Sequence, residues 1–217
     1  MGLKLITKKQ DAESRLAELG IRMEAVQQSL LQGVQVRQNC GPNDAVLVPG
    51  LLQWNGTQSG LREFMAPDGW RKLVDHGHDL VVNAHGTIAI AVSSGNKYTG
   101  EDGIIDPTTK SPKGPRTIHA VATNNKLMNN LFPELVPEPA VLLSKGRLTY
   151  VLLFIQVGQI IRSELSLPAT ISGKRIDSWS ERIILPVMDL SASTLPPHSP
   201  ESGGGPAVNV EVRRKQR

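Results

Sequence analysis

The sequence predicts an α+β fold: an N-terminal helical hairpin packed beside a mostly antiparallel sheet of about five strands, with one helix inserted between strands. Three observations predict it. The first 38 residues have helical periodicity, two β-rich runs flank the turn-forming segment NAHG, and two longer apolar runs meet at Val157-Gly158. Of the 217 residues, 39% are hydrophobic, which is enough to form a core.

The N-terminal segment, residues 1–38, is predicted to form two helices. Asp11 is placed to cap a helix that extends to Leu19, and Gly20 ends it. Apolar residues of the second run recur at roughly helical spacing: Met23, Val26, Leu30 and Val34. Neither helix is long enough to be stable alone, so the two are expected to pack as a hairpin.

Residues 39–79 contain the turn signals CGPND, WNGTQSG and APDGW. The sequence therefore predicts irregular structure here, with a short helix around residues 60–65. Trp54 and Trp70 are expected to serve as apolar anchors.

The sheet is predicted from residue 80 onward. Residues 80–82 and 87–92 form a hairpin, and a helix with Thr117 as its N-cap follows a long loop. The run TYVLLFI is apolar on both faces and should be a central strand. The run ERIILPVMDL is interrupted by Pro186, which is typical of a strand at a sheet edge.

Composition bounds the domain organisation and the compartment. Residues 39–190 should form one domain with the N-terminal helices, and residues 191–217 a flexible, basic, Pro/Gly/Ser-rich tail.

A single cysteine permits no intrachain disulfide. The start of the chain lacks the apolar segment of a signal peptide, and the longest apolar run, Tyr150–Ile155, is too short to span a bilayer. A cytoplasmic protein without membrane contact is expected.

The stretch from Ser93 to Thr117 is the best candidate for a binding site. It leaves a strand, passes through four glycines and enters a helix, whose N-terminus favours anions. The predicted phosphate-binding residues are the cations and the hydroxyl near this entry: Lys97, Lys110, Lys113, Arg116 and Thr117. No P-loop or dinucleotide-binding motif is present. The alternative is a solvated surface loop whose glycines only permit turns.

Other chemistry-bearing groups are weaker candidates. His76, His78 and Asp79 have spacing that a metal site could use, but exposed loop histidines explain them as well. Cys40 follows a helix end, where the helix dipole does not activate a thiol. The polar residues of two later strands could form either an acid–base cleft or a cross-strand ion-pair ladder: Arg162, Glu164, Glu181 and Arg182.

The net charge is +4. Only 4% of residues are aromatic, and this low aromatic content disfavours a platform that stacks single-stranded nucleic acid. The sequence is interpreted as a non-enzymatic binding or accessory protein of a bacterial system. It would contact a phosphate-bearing ligand, nucleic acid or nucleotide, through the 95–117 loop, and no cofactor is predicted. The alternative is a protein–protein interaction subunit, an immunity-type partner or an adaptor without nucleic-acid contact. A metal-dependent enzyme is the third hypothesis.

Overall fold

The computed structural model describes residues 3–129 and 146–191, and every structural statement below refers to them. This part of the chain contains four α-helices and an eight-stranded mixed sheet, so the α+β prediction is confirmed. The helices are α1 (Lys9–Glu18), α2 (Met23–Gln38), α3 (Val48–Met65) and α4 (Pro115–Asn129). The strands are β1 (Lys4–Ile6), β2 (Arg71–Asp75), β3 (His78–Val82), β4 (Ile88–Ser94), β5 (Leu148–Val157), β6 (Ile160–Ser172), β7 (Arg175–Ile184) and β8 (Met188–Asp189).

The strand order across the sheet is β1-β7-β6-β5-β4-β3-β2, and β8 pairs with β6. The β1/β7 and β4/β5 pairs are parallel, whereas the other pairs are antiparallel. Strand β5 is central, as its two apolar faces predict. Leu152 and Phe154 are buried on one face of β5, and Val151 and Leu153 are buried on the other.

The last long strand is not at the sheet edge, so that prediction is wrong. Strand β7 ends at Ile184, before Pro186, and it pairs with β6 on one side and with β1 on the other. The prediction failed because the three residues of β1 come from the far end of the chain. Pro186 ends the pairing rather than marking an exposed edge.

Residues 39–79 are not irregular, because α3 occupies 18 of them and β2 five more. Helix α3 also packs closely against α2, so the principal helical hairpin is α2–α3. The glycines that argued against a helix are required by this packing. A Cβ on Gly33 would lie 2.7 Å from the carbonyl oxygen of Gln53, and a Cβ on Gly56 would lie 2.9 Å from Gly33 Cα.

Both tryptophans are anchors, as expected. Trp70 is 4% exposed, and its indole N–H donates to the carbonyl oxygen of Gly20 at 3.0 Å. Trp54 is half-buried and donates to the carbonyl oxygen of Val92 at 2.9 Å. Trp70 therefore attaches the connection between α3 and β2 to the turn after α1, and Trp54 attaches α3 to β4.

The turns and the inserted helix are close to their predicted positions. Asn83 accepts hydrogen bonds from the N–H groups of Thr87 and Ile88 in the β3–β4 hairpin. Helix α4 begins at Pro115, so Thr117 lies inside its first turn and is not the N-cap. Proline tolerates the first helical position because no backbone N–H is needed there. The predicted tail, residues 191–217, lies outside the described residues except for its first residue.

One face of the sheet is covered by the N-terminal helices, and a buried carboxylate joins them to β7. Arg15 donates to Glu181 at 2.9 and 3.1 Å, the hydroxyl of Tyr150 donates at 2.8 Å, and Lys4 lies 3.1 Å away. Burial opposes ionisation of Glu181, but these donors outweigh it and hold the pKa of Glu181 below its usual value.

No helix in the described part of the chain is long and apolar enough to cross a membrane.

The glycine contacts predict opposite effects of the same substitution. Gly33→Ala should lower the free energy of unfolding by about 1–3 kcal/mol, because the added methyl overpacks the α2–α3 contact. Gly50→Ala, in the open part of α3, should raise it by up to about 1 kcal/mol through helix propensity. Urea denaturation measures both. A stabilising Gly33→Ala would contradict the close approach of the two helices.

Candidate functional site

The predicted binding stretch is a segment held against the sheet, and residues 95–114 are called the strap below. Gly95 and Thr109 form a β-bridge, and the N–H of Thr109 donates to the carbonyl oxygen of Ile176 at 3.1 Å. The indole N–H of Trp179 donates to the carbonyl oxygen of Pro107 at 2.8 Å. These bonds connect the strap to β7 and cover the sheet face opposite the N-terminal helices.

A buried ion pair fixes the middle of the strap. Arg182 and Glu164 are both 0% exposed, and Arg182 donates to the two carboxylate oxygens at 3.1 and 2.7 Å. The same guanidinium donates to the carbonyl oxygen of Glu101 at 2.8 Å and lies 3.3 Å from the carboxylate of Asp106. The N–H of Gly100 donates to Glu164 at 2.9 Å. Both buried charges therefore hold the strap, and the hydroxyl of Ser166 also donates to Glu164 at 2.8 Å.

Gly100 is required at this contact. Its φ is +70°, and a Cβ would lie 2.9 Å from the backbone N of Ser163. Glycine alone allows both the left-handed conformation and the close approach to β6.

The polar residues of β6 and β7 do not form one cleft. Arg162 pairs with Glu101 and donates to the carbonyl oxygen of Lys97. Glu181 faces the N-terminal helices, whereas Glu164 and Arg182 face the strap. The sequence left a cleft and a cross-strand ion-pair ladder open. One cross-strand pair forms, Glu164 on β6 with Arg182 on β7, but it is buried under the strap rather than on a solvated face. Arg162 and Glu181 pair with other elements.

A cavity of about 440 Å³ opens beside the strap, where β3 and β4 separate. The two strands pair only at Val81–Ile90 and Val82–Ala89, and they diverge beyond these residues. The indole of Trp54 takes the place of a strand partner at the carbonyl oxygen of Val92. The start of α3 lies at this opening, and the strap and the first turn of α4 contribute the remaining wall.

The cavity brings together residues that the sequence treated as two separate candidate sites. Its polar wall includes three of the predicted phosphate ligands together with two of the candidate metal ligands. These are Lys110, Lys113, Thr117, His78 and Asp79. Ser93 and Trp54 also line it, and sequence reasoning missed them as site residues. The polar pair Ser93-Ser94, at the end of an otherwise apolar strand, was the available signal.

Lys113 is the central cation of this wall. Its ammonium donates to the hydroxyl of Ser93 at 2.6 Å, and its backbone N–H donates to the carbonyl oxygen of Lys174. Among the residues described, no carboxylate lies within salt-bridge distance of it. Burial lowers the pKa of Lys113 to about 8.

His78 contributes a neutral imidazole to the cavity. Burial lowers its pKa, the carboxylates of Asp75 and Asp79 oppose that shift, and the charge of Lys113 adds to it. The net shift is downward from 6.5, so His78 is mainly uncharged at neutral pH. The carboxylate of Asp79 accepts a hydrogen bond from Arg62 at 2.6 Å, which offsets its charge.

The structure places the other candidates outside the cavity. The ammonium of Lys97 is exposed, 5.0 Å from the centre of the Tyr98 ring. Arg116 lies 3.7 Å from the carboxylate of Asp75, which also bonds to the exposed ring of His76. Cys40 is half-buried. Within residues 3–129 and 146–191, no three His, Cys, Asp or Glu side chains are grouped closely enough to hold a metal ion.

Comparison with known proteins gives no relative for this chain. No family model matches it, no curated protein matches it, and no solved structure matches it.

The buried pair makes a first prediction about this region. Glu164→Gln should lower the free energy of unfolding by about 3–5 kcal/mol, because it removes the buried carboxylate nearest to Arg182 and leaves the guanidinium with the partly exposed Asp106, 3.3 Å away. Glu18→Gln, which removes an exposed carboxylate from Arg15, should cost less than about 1 kcal/mol. Urea denaturation compares the two. Equal effects would show that the strap is not held by this pair.

The environment of Lys113 makes a second prediction. Its ammonium should titrate near pH 8 when it is followed by NMR of the ε-methylene group. Because the folded pKa is lower than the unfolded value of 10.5, the unfolded chain binds more protons between these pH values. Stability should therefore rise from about pH 8 to 10.5, and Lys113→Met should remove that rise. A Lys113 ammonium that titrates near the unfolded value of 10.5 would contradict the burial of the amine.

Proposed function

We propose that this protein is a non-enzymatic binding protein for a small phosphate-bearing ligand, of the size of a nucleotide, held in the cavity beside the strap. One observation carries the proposal: the Lys113 ammonium lies in the cavity wall without a carboxylate partner among the described residues. Burying an unpaired charge costs free energy, and an anionic group in the cavity would offset that cost.

The surroundings of Lys113 favour an anion as the ligand group. Lys110 lies on the same wall, and Thr117 stands in the first turn of α4. Helix N-termini present free N–H groups and a partial positive charge, both of which attract phosphate. The one carboxylate of the wall, Asp79, is bound to Arg62. Positive charge therefore dominates this side of the cavity.

The apolar lining of the cavity favours a ligand with an apolar or aromatic part. Leu51, Trp54 and Val151 are among the lining residues, and the volume of about 440 Å³ lies within the range of small-molecule sites. A ring system could contact Trp54 while its phosphate reaches Lys113. This combination supports a nucleotide in preference to a nucleic acid, since two of the predicted phosphate-binding residues, Lys97 and Arg116, lie outside the cavity and only a small ligand fits within it.

A protein–protein interaction subunit is the second candidate function, favoured by apolar exposure near the start of α3. Val46 is 94% exposed, Leu47 83% and Leu51 58%. Contiguous exposed apolar side chains of this kind mark interaction surfaces. Assembly that resists salt and is lost in Leu47→Asp would favour this candidate over ligand binding.

The test is titration calorimetry of the full chain with a panel of adenosine and guanosine di- and triphosphates and with inorganic phosphate. At least one nucleotide should bind, and Lys113→Gln should weaken it about 10- to 100-fold, the value of a lost charge-assisted hydrogen bond. Lys97→Gln is the matched control, because it removes the same charge from outside the cavity.

Two results would contradict the proposal. One is the absence of binding by the wild-type protein to every member of the panel at low salt. The other is an equal loss in the Lys97 and Lys113 variants, which would indicate diffuse attraction rather than a site. Tighter, salt-sensitive binding of duplex DNA, single-stranded DNA or RNA than of nucleotides would move the ligand class to nucleic acid.

A further inference from the structure

The amine of Lys113 can act as a nucleophile in its neutral form, and anion binding does not use this property. Most lysine amines are protonated near neutral pH and therefore are not nucleophilic. Lys4, for example, lies 3.1 Å from the carboxylate of Glu181. Lys113 instead contacts a neutral hydroxyl, that of Ser93, at the wall of a cavity that a small molecule can enter.

We propose that Lys113 is a carbonyl-capturing amine that forms an imine with an aldehyde or ketone bound in the cavity. The inference shares the cavity with the proposed function but does not depend on it, since it requires only the amine and space for the carbonyl compound. Desolvated lysines are the amines that form such adducts in proteins.

The step balances without any further reagent. The lone pair of the neutral Lys113 nitrogen attacks the carbonyl carbon, and the C–O π pair moves to oxygen. A proton passes from nitrogen to that oxygen to give a carbinolamine. The nitrogen lone pair then forms the C=N bond as the hydroxyl leaves, and the proton that the nitrogen loses joins the hydroxyl to give water.

The groups around the amine suit both halves of this step. The other titratable side chains that line the cavity are His78 and Asp79 on β3 and Lys110 on the strap. His78 is neutral at neutral pH and can accept or return a proton. The charge of Asp79 is offset by Arg62, so it does not hold Lys113 in the protonated form. The apolar side of the cavity favours the loss of water.

The amount of reactive amine sets the expected effect. At pH 7 about one tenth of an amine whose pKa is about 8 is neutral, against roughly one part in three thousand at a pKa of 10.5. Partial burial and lower basicity reduce this advantage. We therefore expect Lys113 to react at least about tenfold faster than the exposed lysines.

The experiment is brief treatment of the full chain with benzaldehyde and cyanoborohydride at pH 7, followed by peptide mapping. Benzaldehyde is uncharged and small enough for the cavity, and cyanoborohydride fixes the imine as a benzylamine. Lys113 should carry the benzyl group at least about tenfold more often than the exposed Lys97 and Lys126. Lys113→Arg, which keeps the charge but cannot form the imine, should lose the fast adduct. Urea-unfolded protein should show no preference.

Labelling of Lys113 no faster than that of Lys97 in the same molecules would overturn the inference, and this comparison does not depend on how any variant folds. The test is also independent of the proposed function. Selective labelling in a protein that binds no nucleotide would leave the inference standing and the proposed function refuted. Nucleotide binding without selective labelling would support the proposed function and overturn the inference.

Discussion

The bidentate contact between Arg182 and Glu164 is the interaction on which the outer layer of this structure depends. Both side chains are inaccessible to solvent, so each needs the other to compensate the cost of burial. The pair also bonds to the strap, through the carbonyl of Glu101 and the N–H of Gly100. The strap in turn supplies Lys110 and Lys113 to the cavity, so the candidate site depends on a salt bridge that does not line it.

Two adjacent residues of β7 hold the layers of the protein together. Side chains alternate between the faces of a strand, so Glu181 points to the N-terminal helices and Arg182 to the strap. Glu181 joins β1 and α1 to the sheet, and Arg182 joins the 95–114 segment to it. This arrangement allows a strand with two adjacent charged residues to lie in the interior of the sheet. Its charges are satisfied by other elements rather than by water.

The cavity results from an interruption of regular pairing. Strands β3 and β4 separate after two residue pairs, and backbone groups left without a strand partner must bond elsewhere. The indole of Trp54 satisfies one of them, and the gap admits side chains from the strap and α4. A cation placed in such a gap without a carboxylate partner is a costly feature for a purely structural element. Anion binding and carbonyl capture are two uses of the same amine, one in its charged state and the other in its neutral state.

Local pattern determined much of the fold. Runs of β-forming and apolar residues located β3, β4, β5 and β6, because the propensity and the side-chain pattern of a strand are written in its own sequence. The turn residues placed the hairpins for the same local reason. From the 93–117 stretch, the sequence also identified three of the residues that line the cavity, Lys110, Lys113 and Thr117.

Only the tertiary structure decided what depends on distant partners. The glycines of α3 lower the helix propensity of this segment when it is considered alone. The segment is nevertheless helical, because α2 packs closely against these glycines. Strand β7 became interior because β1 pairs with it. Lys113 and His78 are 35 positions apart (113 − 78), and their proximity depends on how the strap crosses the sheet. Their pKa values fall because burial favours the neutral form, and burial is a property of the packed structure rather than of the local sequence.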